Sequence, residues 1–346
     1  MPVDVRVTTL ALAAAVAMSA LAAPAAAIEL PTRQAQIELV DMLEREALYR
    51  DRVDWPEIRA HMSAAQDDPE KIRDVLKDAI DRSSGGHGAW MSAEQMHARG
   101  QRIGRVNAAA AAAAGAPATA VDAPRLDPRI GRVGIGGFAV VPGPTGQQQM
   151  RERASRWQAE IREQDNDTRC GWIVDLRGNT GGNMWPMLLG AAPLLRTAEG
   201  DDQTVGGFVT TEGPSLWQLT ASGVRLGTRV IVDLGAPGFT LKRGGAPVAV
   251  LTGPRTASSG EATVLAFRGR PDTRSFGEPT RGVSTANVVR RLVDGSSLVL
   301  TTSVMQDRNG HGDGLKIEPD QYTGGDAATV AAAQAWLLAQ PACSGG

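Results

Sequence analysis

Lysine is nearly missing from this chain of 346 residues: it occurs only at Lys71, Lys77, Lys242 and Lys316, and arginine supplies the rest of the positive charge. A reactive serine that required a lysine as proton acceptor would have to recruit one of these. Cysteine is as sparse, with Cys170 and Cys343 alone and no ligand cluster beside either, so no zinc site is legible and nothing calls for a cofactor. An oxidising compartment would permit a bridge between the two thiols, but their spacing does not say whether they meet. Charge of one sign is also lacking. A formal net charge of -2 without a basic patch gives nucleic acid and anionic membranes no electrostatic footprint. What remains, 42% hydrophobic and 21% charged residues, is the composition of an ordinary globular protein.

The N-terminus is different. Arg6, an apolar stretch from Leu10 to Leu21 and Ala25-Ala26-Ala27 read as a secretory signal, so residues 1–27 are expected to be removed and the mature chain to begin near Ile28 in the periplasm or outside the cell. The apolar stretch is short for a membrane span, and no later segment is long enough to cross a bilayer, so stable membrane insertion is not expected.

Beyond the signal, Ile37, Val40, Leu43, Ala47 and Leu48 recur at helical spacing, Trp55-Pro56 marks a break before a second short helix, and Ile72, Val75, Leu76, Ala79 and Ile80 repeat the pattern from Pro69 to Arg82. These predict a small helical unit. It runs into Ser83-Ser84-Gly85-Gly86-His87-Gly88, where glycines let the backbone bring a histidine close to another segment. A histidine between glycines has no packing reason to be there, whereas His61 and His97 lie in polar helical surroundings expected at the surface. Arg99 to Asp127, with its alanine run, reads as a connection holding a short helix or strand. Residues 28–126 are therefore expected to form an N-terminal helical region and linker, and 127–346 a core ending in a helix from Ala327 to Gln340.

In that core, a strand or hairpin is predicted at Ile130 to Val141, and strands at Gly171 to Leu176, Gly206 to Thr211, Arg229 to Leu234, Val248 to Leu251 and Ser297 to Val304. Helices are predicted over Gln147 to Gln164 and over Met184 to Leu195, the latter broken early by Pro186. Strands alternating with helices argue for an α/β core. Two strand-to-helix corners stand out. Arg177-Gly178-Asn179-Thr180-Gly181-Gly182-Asn183 follows one buried strand, and Gly253-Pro254-Arg255-Thr256-Ala257-Ser258-Ser259-Gly260-Glu261 follows another. If the two strands are parallel neighbours, both corners open at the same edge, where α/β proteins place their sites. Ser258 would then stand beside unpaired amides at a helix start, able to stabilise an oxyanion. The plainer alternative is that the serines cap a helix and the glycines make a turn.

Three stretches, DLRGNTGG at Asp175 to Gly182, TASSGE at Thr256 to Glu261 and GEPTRGVSTAN at Gly277 to Asn287, together with GLKIEPD at Gly314 to Asp320, resemble the tail-specific or carboxy-terminal processing proteases. The resemblance implies an α/β core like that of crotonase and ClpP, here with an N-terminal helical domain and no evident PDZ module. It implies a nucleophile at Ser258, the serine three positions before the glutamate. Many members carry a lysine base after GE-x-T-x-G, but Val283 occupies that place, which points to the lysine-free branch of nisin resistance proteins and tricorn-type cores. There a histidine from the N-terminal part is the base, matching His87. The branch also implies a glutamate that helps orient it, matched by Glu318. Gly181, Gly182 and Ser259 would form the oxyanion hole, and Asn183, Met184 and Asn287 would line the substrate site. The implied partner is an extended peptide or protein tail cut near its carboxyl terminus.

Two other readings compete. A catalytically silent peptide- or lipid-binding protein could use the same scaffold, and an esterase or lactamase could use the same site. Asp307, Asn309, His311, Gly312 and Glu318 also fall at calcium-loop positions, but histidine is a poor oxygen-ligand substitute and strand-like flanks favour a hairpin turn.

Overall fold

A computed structural model describes residues 29–113, 126–140, 143–197, 202–210 and 212–344; the expected signal segment and part of the linker lie outside them. Polar caps start the first three helices: Thr32 at α1 (Arg33–Glu46), Asp54 at α2 (Trp55–Ala64) and Asp68 at α3 (Pro69–Ser84) each accept a first-turn amide hydrogen. Gly85, left-handed at φ 64°, ends α3. The chain then forms a short strand β1 (Ala89–Met91) and a long helix α4 (Ala93–Ala113), longer than the short helix or strand expected within the connection from Arg99; its alanines have the highest helix propensity.

The core follows in the order β2 (Ile130–Gly134), α5 (Pro144–Gln164), β3 (Gly171–Asp175), α6 (Met184–Leu195), β4 (Gln203–Thr210), β5 (Gly213–Leu219), β6 (Gly223–Leu226), β7 (Arg229–Asp233), β8 (Val248–Thr252), α7 (Ser259–Phe267), β9 (Thr273–Gly277), β10 (Thr285–Arg291), β11 (Ser297–Gln306), β12 (Gln321–Tyr322), α8 (Asp326–Leu338) and α9 (Pro341–Ser344). Pro186 does not break α6. It sits in the first turn, where its missing N–H costs no helix bond.

Two sheets result. The parallel one has the order β12-β9-β8-β3-β2, with Asp175 opposite Leu251, so both strand-to-helix corners do leave from one edge. Side chains alternate across it. Trp172, Val174, Val248 and Val250 face α5, α6 and α7, whereas Ile173, Ala249 and Leu251 face α8. Cys170, just before β3, is disulfide-bonded to Cys343 of α9 and ties that second face shut. The antiparallel sheet has the order β1-β11-β4-β5-β6-β7, with β10 also on β11, and it packs Trp217, Leu219 and Val224 against the helices of the first layer.

The N-terminal helices share a core with this second sheet: Leu39, Leu43, Ile72 and Leu76 pack with Leu292, Leu298 and Leu300. β1 pairs antiparallel with β11, Ala89 opposite Val299, which fixes the segment after His87 to the sheet. Asp307, at the end of β11, accepts the amide hydrogens of Asn309 and His311 in a turn, while Leu315 to Ile317, expected as a strand, is irregular. Among the described residues no helix is long and apolar enough to cross a membrane, and no cluster of metal-ligating side chains occurs.

Candidate active site

The three sequence stretches form one hydrogen-bonded knot at the carboxyl edge of the parallel sheet. The Thr256 hydroxyl donates to Leu176 O at 2.9 Å, the Ala257 amide to Asn179 O at 3.0 Å and the Arg281 amide to Thr256 O at 2.9 Å. Glu261 is fully buried and accepts from the Ser258 amide (2.7 Å), the Thr280 hydroxyl (2.6 Å) and the amides of Gly282 (2.8 Å) and Val283 (3.1 Å). Burial pushes its pKa up, against hydrogen bonds that favour the ionised form. Val283, at the place where the resemblance would put a lysine, thus contributes its backbone to the grip on Glu261. Asp175 is engaged structurally too. Burial raises its pKa, but the guanidiniums of Arg177 and Arg132 outweigh this and hold it low.

Ser258 sits at the start of α7 with φ 53° and ψ -115°, a conformation that non-glycine residues rarely adopt. Strain of this kind costs about 1–3 kcal/mol and persists only where the surroundings impose it. Gly181 and Gly182 make room. A Cβ on Gly181 would stand 3.0 Å from Ser258 Cβ, and one on Gly182 would lie 2.1 Å from Phe138 O. Phe138 forms a parallel bridge to Gly182 by donating its amide to Gly181 O and accepting that of Asn183, which leaves the Gly182 N–H directed away from this pairing. The Ser259 hydroxyl donates to Gly182 O at 3.0 Å. Among the described residues the amides of Gly182 and Ser259 have no acceptor. The Gly181 amide does: it donates to Asn179 Oδ1 at 2.9 Å, so Gly181, expected as an oxyanion donor, instead provides close approach to Ser258.

His87 comes from the other end of the molecule. The Ser84 hydroxyl accepts the Gly88 amide at 2.9 Å, and the Asn287 side chain donates to His87 O at 3.0 Å while accepting from the Thr301 hydroxyl at 2.7 Å. The ring is held by Thr285, whose Oγ1 is 2.7 Å from His87 Nδ1. Burial, and secondarily the positive charge of Arg281, lower its pKa to about 4, so the ring is neutral near pH 7.

Ser258 and His87 line one cavity of about 560 Å3, which also takes in Gly182, Asn183, Met184, Ser259, Thr285 and Asn287. Two other depressions, of about 620 and 600 Å3, bring no serine and imidazole together, and in a third, of about 580 Å3, which holds Ser284 and His311, the Ser284 hydroxyl is committed to Leu315 O at 2.7 Å. Glu318 is exposed and lies outside this cavity; the polar partner of the ring is Thr285, which the sequence reading did not single out. Asn287, expected to line the substrate site, also clamps the backbone of His87. None of the lysines lines the cavity among the described residues.

The model of peptidase family S41 matches residues 129–323, which include the serine corner, the glycine corner and their knot. The chain belongs to peptidase family S41. The nisin-resistance protein of Lactococcus lactis subsp. lactis is 35% identical over 160 residues, covering 44% of this chain and 46% of that protein, so the match spans about half of either. Among solved structures, a lipoprotein from Streptococcus agalactiae superposes with a TM-score of 0.63 and 25% identity over 90% of this chain and 98% of its own. The photosystem II D1 C-terminal processing protease superposes with a TM-score of 0.54 and 13% identity, covering 91% of this chain and 99% of that one, a likeness of fold alone. Ser258 lies within the matched span, and His87 lies N-terminal to it.

Proposed function

We propose that the chain is an exported peptidase that cuts extended peptides near their carboxyl termini, with Ser258 as nucleophile and His87 as general base. One observation carries the reading: a strained serine beside two unpaired amides shares a cavity with a neutral imidazole held by Thr285. With Nδ1–H donating to Thr285 Oγ1, the lone pair of Nε2 is free. Nε2 takes the Ser258 proton as Oγ attacks the substrate carbonyl, and the amides of Gly182 and Ser259 hold the oxygen that becomes negative. The imidazolium then gives its proton to the leaving amine, the peptide C–N bond breaks, and water, deprotonated by the same ring, releases the acyl group. Among the described residues no hydrogen bond joins Ser258 to His87, and the proton transfer requires the two to come within hydrogen-bond reach.

The cut near a carboxyl terminus is supported by the fold shared with a C-terminal processing protease. Export is supported by the disulfide, since such bridges persist in oxidising compartments. The test is labelling by a fluorophosphonate. The wild type is expected to label, Ser258→Ala to lose labelling entirely, and His87→Ala to react about 100- to 10,000-fold more slowly. A folded wild type that does not label would favour the silent binding protein instead.

A further inference from the structure

The cavity carries a charge that the chemistry above does not use. Helix α4 turns Met96, Arg99, Gly100 and Ile103 toward it, at spacings of three, four and seven residues that place them on one helical face. The helix starts from a firm base. The Ser92 hydroxyl accepts the Gln95 amide at 3.1 Å and the Gln95 side chain accepts the Ser92 amide at 3.2 Å, a reciprocal cap directly after β1.

Among the described lining residues Arg99 is the only one with a permanent charge, and no carboxylate lines the cavity beside it. Among the described residues its one hydrogen-bond partner is Met91 Sδ at 3.7 Å, a weak acceptor, and none of them gives the guanidinium a counter-ion. The same cavity is lined by the apolar Met184, Trp185, Phe208 and Val289 together with neutral polar residues, so it holds one permanent cation, on its α4 wall. A guanidinium in that position matches a carboxylate by its paired donors, and apolar walls reject other polar groups.

We propose that Arg99 is a specificity residue that binds a carboxylate of the peptide lying in the cleft, while Met96 and Ile103 contact its apolar side chains. The inference rests on the cleft being a peptide site. The carboxylate is either the free carboxyl terminus or an Asp or Glu side chain close to the bond being cut; both present the same planar anion. Arg99 is exposed, so solvent and salt screen the pairing and its effect is moderate.

The test uses the full-length Ser258→Ala protein, which binds without turnover, and three fluorescein-labelled decapeptide pools with randomised sequences. One pool has free carboxyl termini, one has carboxamide termini, and one has carboxamide termini with glutamate at the penultimate position. Anisotropy is expected to show the free-acid pool binding about 5- to 10-fold more tightly than the neutral amide at low ionic strength, the gap narrowing as salt is added. Adding Arg99→Gln should close the gap, and Arg99→Lys should keep part of it. Tight binding of the glutamate pool as well would assign the site to any nearby carboxylate; tight binding of the free acid alone would assign it to the terminus. In the active protein the loss in Arg99→Gln should fall on KM rather than kcat. Equal binding of acid and amide, a gap that survives Arg99→Gln, or no binding by any pool overturns the proposal. Because binding is read without turnover, a silent binding protein would still show the gap, whereas failure of the catalytic reading appears only in fluorophosphonate labelling.

Discussion

Acidification to pH 5.5 should leave the reaction of Ser258 with a fluorophosphonate almost unchanged. The ordinary histidine pKa of 6.5 is lowered at His87 to about 4, first by burial and then by Arg281. A base with the ordinary value would be only about 9% neutral at pH 5.5, whereas one at about 4 would be about 97% neutral, a tenfold difference in reactive enzyme. The assay is the second-order labelling rate measured between pH 3 and pH 8, and the acid limb is expected near pH 4. Arg281→Gln removes the smaller cause, so it should move the limb upward without reaching 6.5. Thr285→Val should lower the rate across the whole profile, because the ring loses the partner of Nδ1. Stability follows the same linkage. The folded pKa lies below the unfolded one, so the contribution is complete above pH 6.5 and is lost as pH falls through about 4, at most about 3 kcal/mol for a partly exposed ring. An acid limb at 6 or higher in the wild type would refute the argument that His87 is half-buried, neutral and the base.

Gly182→Ala should slow labelling about 100- to 1000-fold, because its Cβ would lie 2.1 Å from Phe138 O at φ 126° and the amide it carries must move; a rate close to wild type would show that the amide is not an oxyanion donor. Glu261→Gln puts an NH2 among four donors in a fully buried site, and a loss of about 3 kcal/mol is expected in urea unfolding; an unchanged midpoint would refute the role of the knot. Cys170→Ser should cost about 2–5 kcal/mol, since the bridge closes a loop of 173 positions. Equal unfolding midpoints with and without reductant would show that the bridge does not form.

Much of the site's scaffold is local and therefore readable. The unbroken apolar run at Val248 to Leu251, the turn residues after it and the serine-to-glutamate spacing lie within one stretch, and they form β8 and the start of α7. The glycines around His87 signalled a backbone placed for close approach. Local pattern misled where tertiary contacts assign the partner. Thr285 is 198 positions from His87, and only the pairing of β1 and β10 with the same strand, β11, brings them together. Gly181 and Gly182 look alike in sequence, yet Asn179 takes the first amide and the bridge to Phe138 leaves the second directed away. β5 and β6 were also missed. Their burial alternates only partly, and their pairing partners rather than their composition make them strands.

By itself the amino-acid order determined the α/β core, the serine corner and the absence of a lysine base, because strand periodicity, capping and residue supply act over a few positions. Which amides stay unpaired, which hydroxyl holds the imidazole and where Arg99 of α4 faces depended on chain segments far apart in sequence. Those outcomes are set by packing of α1, α2 and α3 on β11 and by the alignment of β3 with β8, and no local pattern encodes either.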